Sequence, residues 1–531
     1  MTQESISRRS ALAMILASAS TPKLLPALGG KILAASQDAG SVKSSPTMRP
    51  KFHLTPALGW INDPQRPLWL NNLWNLWILW NGDYPTGRGT SWRRFTSPDL
   101  VNWTDQGVSI PKNTTDNGDC WTGSSVIDVD NTAGHGAGAV IALMTMSCRN
   151  LGGQGTGLWY SNDGGATFRF DSIVQVNPNA GNKAIRDLTF RDPNISWHKP
   201  SGLWVMCLAE IGKISIYTSP DLKKWTYRSA TSRSDLGTLE CPNMIQLHLY
   251  DDAGSSIGDK WILLCGANGT AKGFTVGTYY WVGTFDGTTF TPDSSDGQWL
   301  DQGPDFYAAA LFNDATTADP LSRAFAVAWE SNWSYVRSFP GKSYIGQLNI
   351  IRQLRLQKVD GRPTLLVTPV AAQNGVFDSL QHGSDQIISD AKPYKWPSGS
   401  GSICSRMDFT LSAMHNSWPG AINLSVRGGH DYATQIGFEP SKGNIFLKRE
   451  NCGPVPTTNE AWKKTYTAHC DFTSPVQVSV FVDSTSVDVF VNNGRVAMSA
   501  LITAPIDATA VALSVQGGSA KVSNMVVRRT A

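Results

Sequence analysis

The stretch that decides the fold is Ser97-Pro98-Asp99-Leu100-Val101-Asn102-Trp103, which returns almost unchanged as Ser219-Pro220-Asp221-Leu222-Lys223-Lys224-Trp225. Looser copies stand at 161–168 and 284–290, and the aspartates of the four copies lie 64, 58 and 65 residues apart. In each copy a strand-like run is followed by an Asp or Gly turn and an aromatic residue that starts the next run. A repeat of this length, with several strands per unit, predicts a β-propeller with large blades.

Outward from the repeat, the whole chain is predicted to be all-β. The four turns and the region 321–368 give five units, so we expect a five-bladed propeller over residues 50–370. Similar turns also occur in ordinary hairpins, but their regular spacing favours the repeat. After Val370 the repeat is lost, and runs such as 486–491 alternate apolar and polar residues. This alternation predicts a β-sandwich over residues 371–531.

The N-terminus has the pattern of an export leader. Arg8-Arg9 precede the apolar run 11–19, and small residues follow at Ala34-Ala35. We expect a twin-arginine-type signal peptide at 1–36 and a linker at 37–49; a chance arginine pair before an amphipathic helix is the alternative. The mature protein would then reach the periplasm or the medium. No later apolar stretch reaches the ~18 residues of a membrane span, so no membrane partner is expected.

Composition narrows the classes of function. The 531 residues are 41% hydrophobic and 16% charged, which is typical of a folded chain with more than one domain. A net charge of +3 gives no basic stripe, so no nucleic-acid partner is expected. The 20 tryptophans weakly favour a sugar-active protein, because indole faces stack on rings. The eight cysteines include no C-x-x-C pair, so no zinc site is predicted, and disulfide pairing and oligomeric state stay open.

Motifs of several enzyme classes are missing or wrongly placed. The sequence has no Gly-x-x-x-x-Gly-Lys loop and no His-Glu-x-x-His. A Gly-x-Ser-x-Gly match at 254–258 follows Asp251-Asp252 in a polar turn, not the strand-to-helix elbow of a serine hydrolase. The glycine-rich run 152–157 has the wrong spacing for a dinucleotide loop. Nucleotide, zinc-protease and serine-hydrolase chemistry are therefore not predicted.

Three acidic residues remain in unusual settings. Asp63 lies in Trp60-Ile61-Asn62-Asp63-Pro64, Asp192 in Arg191-Asp192-Pro193, and Glu240 in Glu240-Cys241-Pro242. Taken singly, an Asp before Pro is most often a turn residue. In a propeller, however, equivalent positions of different blades converge on one axial pocket. Two carboxyl groups in different protonation states are what glycoside hydrolysis requires.

Four ordered boxes resemble glycoside hydrolase family 32, the invertases, inulinases, levanases and related fructosyltransferases. The box at 60–64 is similar to that family's Trp-Met-Asn-Asp-Pro, and Trp121-Thr122-Gly123-Ser124-Ser125 to its Phe-Ser-Gly-Ser. The boxes at 191–193 and 240–242 look like its Arg-Asp-Pro and Glu-Cys boxes. Near the C-terminus, 486–492 resembles its Ser-Val-Glu-Val-Phe strand. The resemblance runs through nearly the whole chain after the leader.

The resemblance implies a role for each acidic residue. Asp63 would attack the anomeric carbon of a fructosyl unit, and Glu240 would protonate the leaving oxygen and then deprotonate the acceptor. Asp192 would hold the sugar hydroxyls in the transition state, with Arg191 orienting Asp192 or the sugar. Neither a metal nor a cofactor is implied. The resemblance also implies substrate-binding roles for Trp60, Asn62, Gln65, Trp92, Trp121, Thr122, Arg191, Cys241 and Trp329.

Departures from the family pattern point to one of its branches. Gln65-Arg66-Pro67 replaces Asn-Gly, Leu79 replaces Gln, and Arg93-Arg94 replaces Gly-His. Gln65-Arg66-Pro67, together with the stretch 132–138 and the turn at 162–165, resembles the branch that contains levan fructotransferases. The expected substrate is therefore a fructan, with levan favoured over inulin or sucrose. A hydrolase acting on levan is the first expectation and an intramolecular fructotransferase the alternative. An inactive fructan-binding protein is disfavoured because all three acidic residues are present.

Overall fold

The computed structural model describes residues 49–182, 189–338, 343–454 and 456–530. The predicted leader at 1–36, and all of the linker at 37–49 but its last residue, lie outside this part of the chain. Within it, strands dominate, which confirms the all-β class. The helices of these described residues are α1 (Glu460–Lys463) and the 3-10 turns Arg149–Leu151, Gly269–Lys272, Val336–Ser338, Ala371–Val376 and Pro440–Lys442. None of the described helices has the length and apolarity needed to cross a membrane.

Residues 59–369 form five successive antiparallel meanders. The first contains β1 (Gly59–Pro64), β2 (Leu68–Leu70), β3 (Leu73–Asn81), β4 (Ser91–Ser97) and β5 (Thr104–Ile110). The second contains β6 (Cys120–Asp128), β7 (Ala139–Met146), β8 (Gly155–Ser161) and β9 (Arg169–Val176). The third contains β10 (Phe190–His198), β11 (Leu203–Glu210), β12 (Lys213–Ser219) and β13 (Thr226–Ser232).

The fourth and fifth meanders share one sheet. The fourth contains β14 (Glu240–Tyr250), β15 (Ser256–Asn268), β16 (Val276–Phe285), β17 (Phe290–Pro292) and β18 (Gln298–Trp299). The fifth contains β19 (Tyr307–Asn313), β20 (Ala324–Trp329), β22 (Arg352–Val359) and β23 (Arg362–Pro369), whereas β21 (Tyr344–Ile345) between them pairs in parallel with β1. A short parallel pairing of β14 with β22 joins the two meanders.

The repeated aspartates explain where the meanders that contain them turn. Asp99 Oδ1 accepts hydrogen bonds from the backbone N–H groups of Val101 and Asn102, at 3.0 and 2.8 Å. Asp221 Oδ1 does the same for the backbone N–H groups of the two lysines that follow Leu222. An Asp side chain that binds its own downstream backbone closes a tight turn, here between the third and fourth long strands of a meander. The repeat read from the sequence is therefore a repeat of turn chemistry.

The first long strand of each meander contacts its counterpart in the next. Ser124 on β6 donates to the carbonyl oxygen of Pro193 on β10 at 3.0 Å. Asn243 on β14 accepts from Asn194 Nδ2 and from the backbone N–H of Leu311 on β19, both at 3.1 Å. Thr122 on β6 also donates to Asp63 on β1, so the five strands β1, β6, β10, β14 and β19 lie side by side where the meanders meet.

Residues 379–529 form two further sheets around one core. One sheet contains β24 (Ser379–His382), β25 (Gln386–Ser389), β26 (Ser405–Ala413), β31 (Val476–Val482), β32 (Ser486–Val491), β33 (Val496–Leu501) and β35 (Ser519–Arg529). The other contains β27 (Ala421–Gly429), β28 (Tyr432–Glu439), β29 (Asn444–Lys448), β30 (Tyr466–His469) and β34 (Ala510–Gln516). A single cluster of buried apolar side chains draws on both sheets.

Strand β32 is buried on both faces, because it lies between the C-terminal core and the fifth meander. Val487, Val489 and Val491 pack into the C-terminal core, as their alternation predicts. On the opposite face Phe490 packs with the core of the fourth and fifth meanders, and Asp488 Oδ1 forms an ion pair with Arg352 at 3.0 Å. The contact between the two parts of the chain is therefore both apolar and charged.

Candidate active site

The acidic residues of the three boxes lie at equivalent irregularities of three strands. Pairing with the second long strand shifts register between Ile61 and Pro64 on β1, between Arg191 and Asn194 on β10, and between Glu240 and Asn243 on β14. Such a β-bulge turns side chains out of the alternating pattern of a sheet and is common beside active sites. The backbones of Asp192 and Cys241 have φ of 60° and 48°, which fits this local reversal.

Asp63 is fully buried and held by neighbours on its own strand, β1, and on β6, the first strand of the second meander. Asn62 Nδ2 donates to Asp63 Oδ1 at 3.1 Å, and Thr122 Oγ1 donates to Asp63 Oδ2. The Asn62 amide is itself fixed, because Trp60 Nε1 donates to Asn62 Oδ1 at 3.1 Å. The carboxylate thus has a defined orientation supplied by neutral donors.

Asp192 meets Asp63 at the thiol of Cys241. The Cys241 Sγ lies 3.7 Å from Asp63 Oδ2 and 3.5 Å from Asp192 Oδ2. The backbone N–H of Cys241 also donates to Asp192 Oδ2 at 2.9 Å. The Thr145 hydroxyl on β7 links the backbones beside the two carboxylates. It accepts from the backbone N–H of Asp192 and donates to the carbonyl oxygen of Thr122, whose side chain holds Asp63. Two carboxylates from distant parts of the sequence therefore converge on one point.

Glu240 is held at both of its carboxyl oxygens. Arg191 Nη1 lies 3.1 Å from Glu240 Oε1, in an ion pair whose side chains are each 4% exposed. Tyr307 donates its hydroxyl to Glu240 Oε2 at 2.6 Å. The dipeptides Arg191-Asp192 and Glu240-Cys241 thus pair reciprocally, because Arg191 binds Glu240 while Cys241 binds Asp192. The resemblance implied that Arg191 orients Asp192 or the sugar. In the structure Arg191 pairs with Glu240, and its contact with the sugar stays a prediction.

The predicted binding residues lie at different depths around these carboxyls. Gln65 is fully buried; its Nε2 donates to the carbonyl oxygen of Asp63, and its Oε1 accepts from the backbone N–H of Gly123. Trp92 is also fully buried and donates its indole N–H to the carbonyl oxygen of Trp121 at 3.0 Å. Trp121 is partly exposed, with the Arg191 guanidinium 6.0 Å from its ring. Gln65 and Trp92 therefore hold backbone groups around the carboxyls. Contact of any of the nine predicted binding residues with the sugar stays a prediction.

One wall of the site is aromatic. The Trp329 ring lies 6.0 Å from that of Trp60 and 4.7 Å from that of Trp333, and Trp60 lies 5.1 Å from Tyr84. Trp329 is fully buried, whereas Trp333 and Tyr84 are partly buried against the cluster that also contains Cys241 and Tyr307. Trp60 and Trp329, both predicted from the sequence, are therefore together in space.

Sequence reasoning missed four residues of this neighbourhood: Tyr84, Thr145, Tyr307 and Trp333. Tyr307 opens the first strand of the fifth meander, and the first strands of three other meanders supply the acidic boxes. The sequence placed the fifth unit only from residue 321, so this position was not recognised. The register of β19 also shifts between Tyr307 and Ala310, as in the other first strands. The remaining three lie on a second strand or on loops, which no repeat marks.

Within the described residues, the ligand atoms of His53, Glu330 and Asp488 lie close enough to hold a metal ion, within 4.8 Å of one another. Both imidazole nitrogens contact carboxylates, Nδ1 Asp483 at 2.9 Å and Nε2 Asp488 at 3.0 Å. Burial lowers the pKa of His53, but Glu330 and the two aspartates together raise it well above its ordinary value. A protonated imidazole donates from both nitrogens and is not a metal ligand. The group therefore fits a buried ion network between the two parts of the chain.

Comparison with known proteins gives matches along nearly all of the described chain. The model of the glycosyl hydrolases family 32 N-terminal domain matches residues 53–369, and that of the family's C-terminal domain matches 378–529. A levanbiose-producing levanase of Bacillus subtilis is 33% identical over 500 residues, covering 92% of each chain. An extracellular exo-inulinase of Aspergillus awamori is 30% identical over 517 residues, covering 89% of this chain and 92% of that one. The crystal structure of an exo-inulinase from A. awamori superposes with a TM-score of 0.80 at 28% identity, covering 91% of this chain and 98% of that one.

Proposed function

Because the chain belongs to glycosyl hydrolase family 32 and is thus a β-fructofuranosidase-type glycoside hydrolase, we propose that it cleaves β-fructosidic bonds of fructans through a fructosyl intermediate on Asp63. The observation that carries this proposal is the convergence of Asp63 and Asp192 on the Cys241 thiol. Glu240 adjoins that thiol in sequence. A retaining glycosidase needs one carboxylate as nucleophile and a second carboxyl group as acid and then base.

In the first step, a carboxylate oxygen of Asp63 forms a bond to the anomeric carbon of the fructosyl unit. The bond from that carbon to the leaving oxygen breaks, and Glu240 gives its proton to this oxygen. In the second step, Glu240 takes a proton from water, and the resulting hydroxide oxygen displaces Asp63 from the anomeric carbon. Two displacements at one carbon retain its configuration.

Asp192 binds the ring hydroxyls of the fructosyl unit while positive charge develops at its anomeric carbon. The Cys241 N–H and the Thr145 hydroxyl hold the Asp192 side chain and backbone before substrate arrives. Such preorganised groups stabilise a transition state without the cost of reorganising at the moment of reaction. Asn62, Trp121 and the aromatic wall of Trp60 and Trp329 complete the fructose pocket.

Levan is the proposed substrate. Two relatives named as levanbiose-producing levanases support it, at 33% identity in B. subtilis and 39% identity over 332 residues in Geobacillus stearothermophilus. Inulin and sucrose are the competing substrates, since relatives named as exo-inulinase and invertase also match. A levan fructotransferase, which uses the chain's own hydroxyl as acceptor, is the second candidate. It is favoured by the resemblance of Gln65-Arg66-Pro67 to the branch that contains such enzymes.

We also propose that the five meanders are the blades of a closed propeller over residues 50–370, followed by a β-sandwich over 371–531. Side-chain hydrogen bonds between successive first strands support the arrangement, as does the contact of Trp60 on β1 with Trp329 on β20, which joins the first and fifth meanders. The pocket then lies on the propeller axis. Export by a leader at 1–36 belongs to the same proposal, and the extracellular exo-inulinase among the relatives supports it.

Product analysis tests this function. Purified protein is incubated with levan, inulin and sucrose separately, with the Asp63→Asn variant as the blank. Free fructose or levanbiose from levan is the expected result. A non-reducing product lighter than difructose by one water would establish the fructotransferase instead. No product from any of the three substrates would refute the proposal.

A further inference from the structure

We infer that Tyr307 is a positioning residue for Glu240, and that the C-terminal sheets hold Tyr307 in place through Asp305. The inference rests on the proposed function, because it requires Glu240 to be the acid and base of the reaction. It gives the C-terminal part of the chain a role in catalysis beyond support of the fold.

Tyr307 is placed to fix the direction of the Glu240 carboxyl group. The phenol is buried, with the residue 2% exposed, and donates to Glu240 Oε2 at 2.6 Å while Arg191 holds Oε1. With a donor on each oxygen, the plane of the carboxyl group is set. General acid catalysis depends on an oxygen held within hydrogen-bonding reach of the leaving group. Loss of the phenol would therefore affect the proton-transfer steps most.

Gly266 makes room for the phenol beside Glu240. Gly266 on β15 is the pairing partner of Glu240 on β14. A Cβ atom at this position would lie 3.0 Å from Tyr307 Cζ and 3.2 Å from its hydroxyl oxygen. The ring therefore rests directly on the β15 backbone, which leaves the Tyr307 hydroxyl little freedom to move away from Glu240.

The segment before Tyr307 runs along β33 of the C-terminal sheet. Gln302 donates its backbone N–H to the carbonyl oxygen of Ala497 at 2.7 Å, and Asp305 donates its own to the carbonyl oxygen of Ser499 at 3.2 Å. In return, the backbone N–H of Ser499 donates to Asp301 Oδ1 at 3.0 Å. The path of the chain into β19 is thus set by the C-terminal sheet.

Asp305 anchors the end of that segment, two residues before Tyr307. Its Oδ2 forms an ion pair with Arg449 Nη1 at 2.5 Å and accepts from the backbone N–H of Leu501 at 2.8 Å. Its Oδ1 accepts from the Tyr335 hydroxyl at 2.5 Å. The side chains of Asp305 and Arg449 are both fully buried, so water cannot replace either partner of the pair. Any shift of the C-terminal sheet would therefore be carried to Tyr307.

The first test compares Tyr307→Phe with Tyr217→Phe. Tyr217 is a matched control, because it also donates to a buried glutamate, Glu210, at 2.7 Å, but in the third meander. Each variant is assayed on levan and on β-fructofuranosyl fluoride, whose leaving group needs no protonation. If the transition state loses the stabilisation that one hydrogen bond to a charged group provides, kcat falls by about 10- to 100-fold.

For Tyr307→Phe we expect that loss on levan, with KM within about threefold of wild type and at most a small loss on the fluoride. The pH profile of kcat on levan should also shift, whereas the Tyr217→Phe profile should match that of wild type. Equal losses on both substrates, or a Tyr307→Phe enzyme that behaves like Tyr217→Phe, would overturn the inference.

The second test examines the link to the C-terminal sheet. Asp305→Asn should give the same dependence on leaving group as Tyr307→Phe, and the double variant should lose no more than the larger single loss. If Asp305→Asn does not fold, Arg449→Lys, which keeps the charge, takes its place. Multiplicative losses in the double variant would overturn the link. A wild type inactive on fructans, or an unimpaired Glu240→Gln, would instead refute the proposed function itself.

Discussion

Replacement of the buried Arg449 by methionine should destabilise the protein more than replacement of an exposed charged residue does. Methionine keeps most of the unbranched aliphatic volume but removes the guanidinium group, which lies 4.0 Å from the centre of the Trp462 ring. The change deletes the ion pair with Asp305 at 2.5 Å and a hydrogen bond to the carbonyl oxygen of Leu501 at 2.8 Å. It leaves the Asp305 carboxylate buried without a countercharge at its side.

The expected loss follows from that burial. Removal of one partner of a fully buried pair costs about 3–5 kcal/mol in the free energy of unfolding, because the other charge stays desolvated. The neighbouring Lys448 gives a matched control. Its pair with Glu450 at 3.8 Å is exposed, with side chains 43% and 51% accessible. Lys448→Met should therefore cost less than about 1 kcal/mol.

Urea unfolding measures both values, with tryptophan fluorescence and far-UV circular dichroism recorded on the same samples. Coincidence of the two signals shows whether one transition describes both parts of the chain. Combining Arg449→Met with Asp305→Asn should recover part of the lost free energy of unfolding, since the unpaired carboxylate of Asp305 is then absent. An Arg449→Met loss no larger than that of Lys448→Met would refute the role given to this interface.

Three further changes have defined outcomes. Asp63→Asn should lower kcat by about 10⁴-fold or more at nearly unchanged stability, since the amide oxygen still accepts from Asn62; residual activity above that level would reject Asp63 as the nucleophile. Glu240→Gln should impair levan cleavage far more than cleavage of β-fructofuranosyl fluoride, and equal impairment would show that Glu240 is not the acid. His53→Gln should destabilise the protein most at low pH, because the pKa of His53 is raised in the folded state. The protonated imidazole contributes its full stabilisation below the pKa of about 6.5 that histidine has in the unfolded chain, and this contribution is lost as the pH rises through the pKa of the folded state. The difference between wild type and His53→Gln in urea unfolding should thus shrink by up to about 1.4 kcal/mol per pH unit above that point, and a constant difference would contradict a protonated His53.

The parts of the fold set by short-range chemistry could be predicted from the sequence. Asp99 and Asp221 close turns with backbone groups two or three residues away, so their spacing reports the meanders directly. The alternation of Val487, Val489 and Val491 likewise marks one buried face. It does not show that the opposite face of β32 is also buried, since that depends on Arg352 from a distant part of the chain.

The residues of the site likewise differ in whether the sequence could predict them. Asp63, Asp192 and Glu240 stand in short boxes whose order could be recognised, and the structure brings them together. Tyr307 stands in an apolar strand, where a tyrosine is ordinarily a core residue, and only its hydroxyl contact with Glu240 gives it another role. The contact of Arg191 with Glu240 was not predicted, because a β-bulge decides which neighbour a side chain faces and no local pattern reveals that choice.

The charged network between the two parts of the chain left almost no trace in the sequence. His53 contacts Asp483 and Asp488, which lie more than 400 residues further along the chain. A lone histidine near the start of a folded region carries no signal of such partners. Pairs at this separation depend on how the C-terminal sheets dock against the fifth meander.

Identification of the covalent intermediate tests the central claim most directly. Glu240→Gln is mixed with β-fructofuranosyl fluoride, which can form the intermediate without an acid, while breakdown is slowed because the base is absent. The protein is quenched in acid, digested, and its peptides are weighed. The account predicts one added fructosyl unit on the peptide that contains Asp63. An unmodified Asp63 peptide during turnover, or an adduct on another residue, would contradict it.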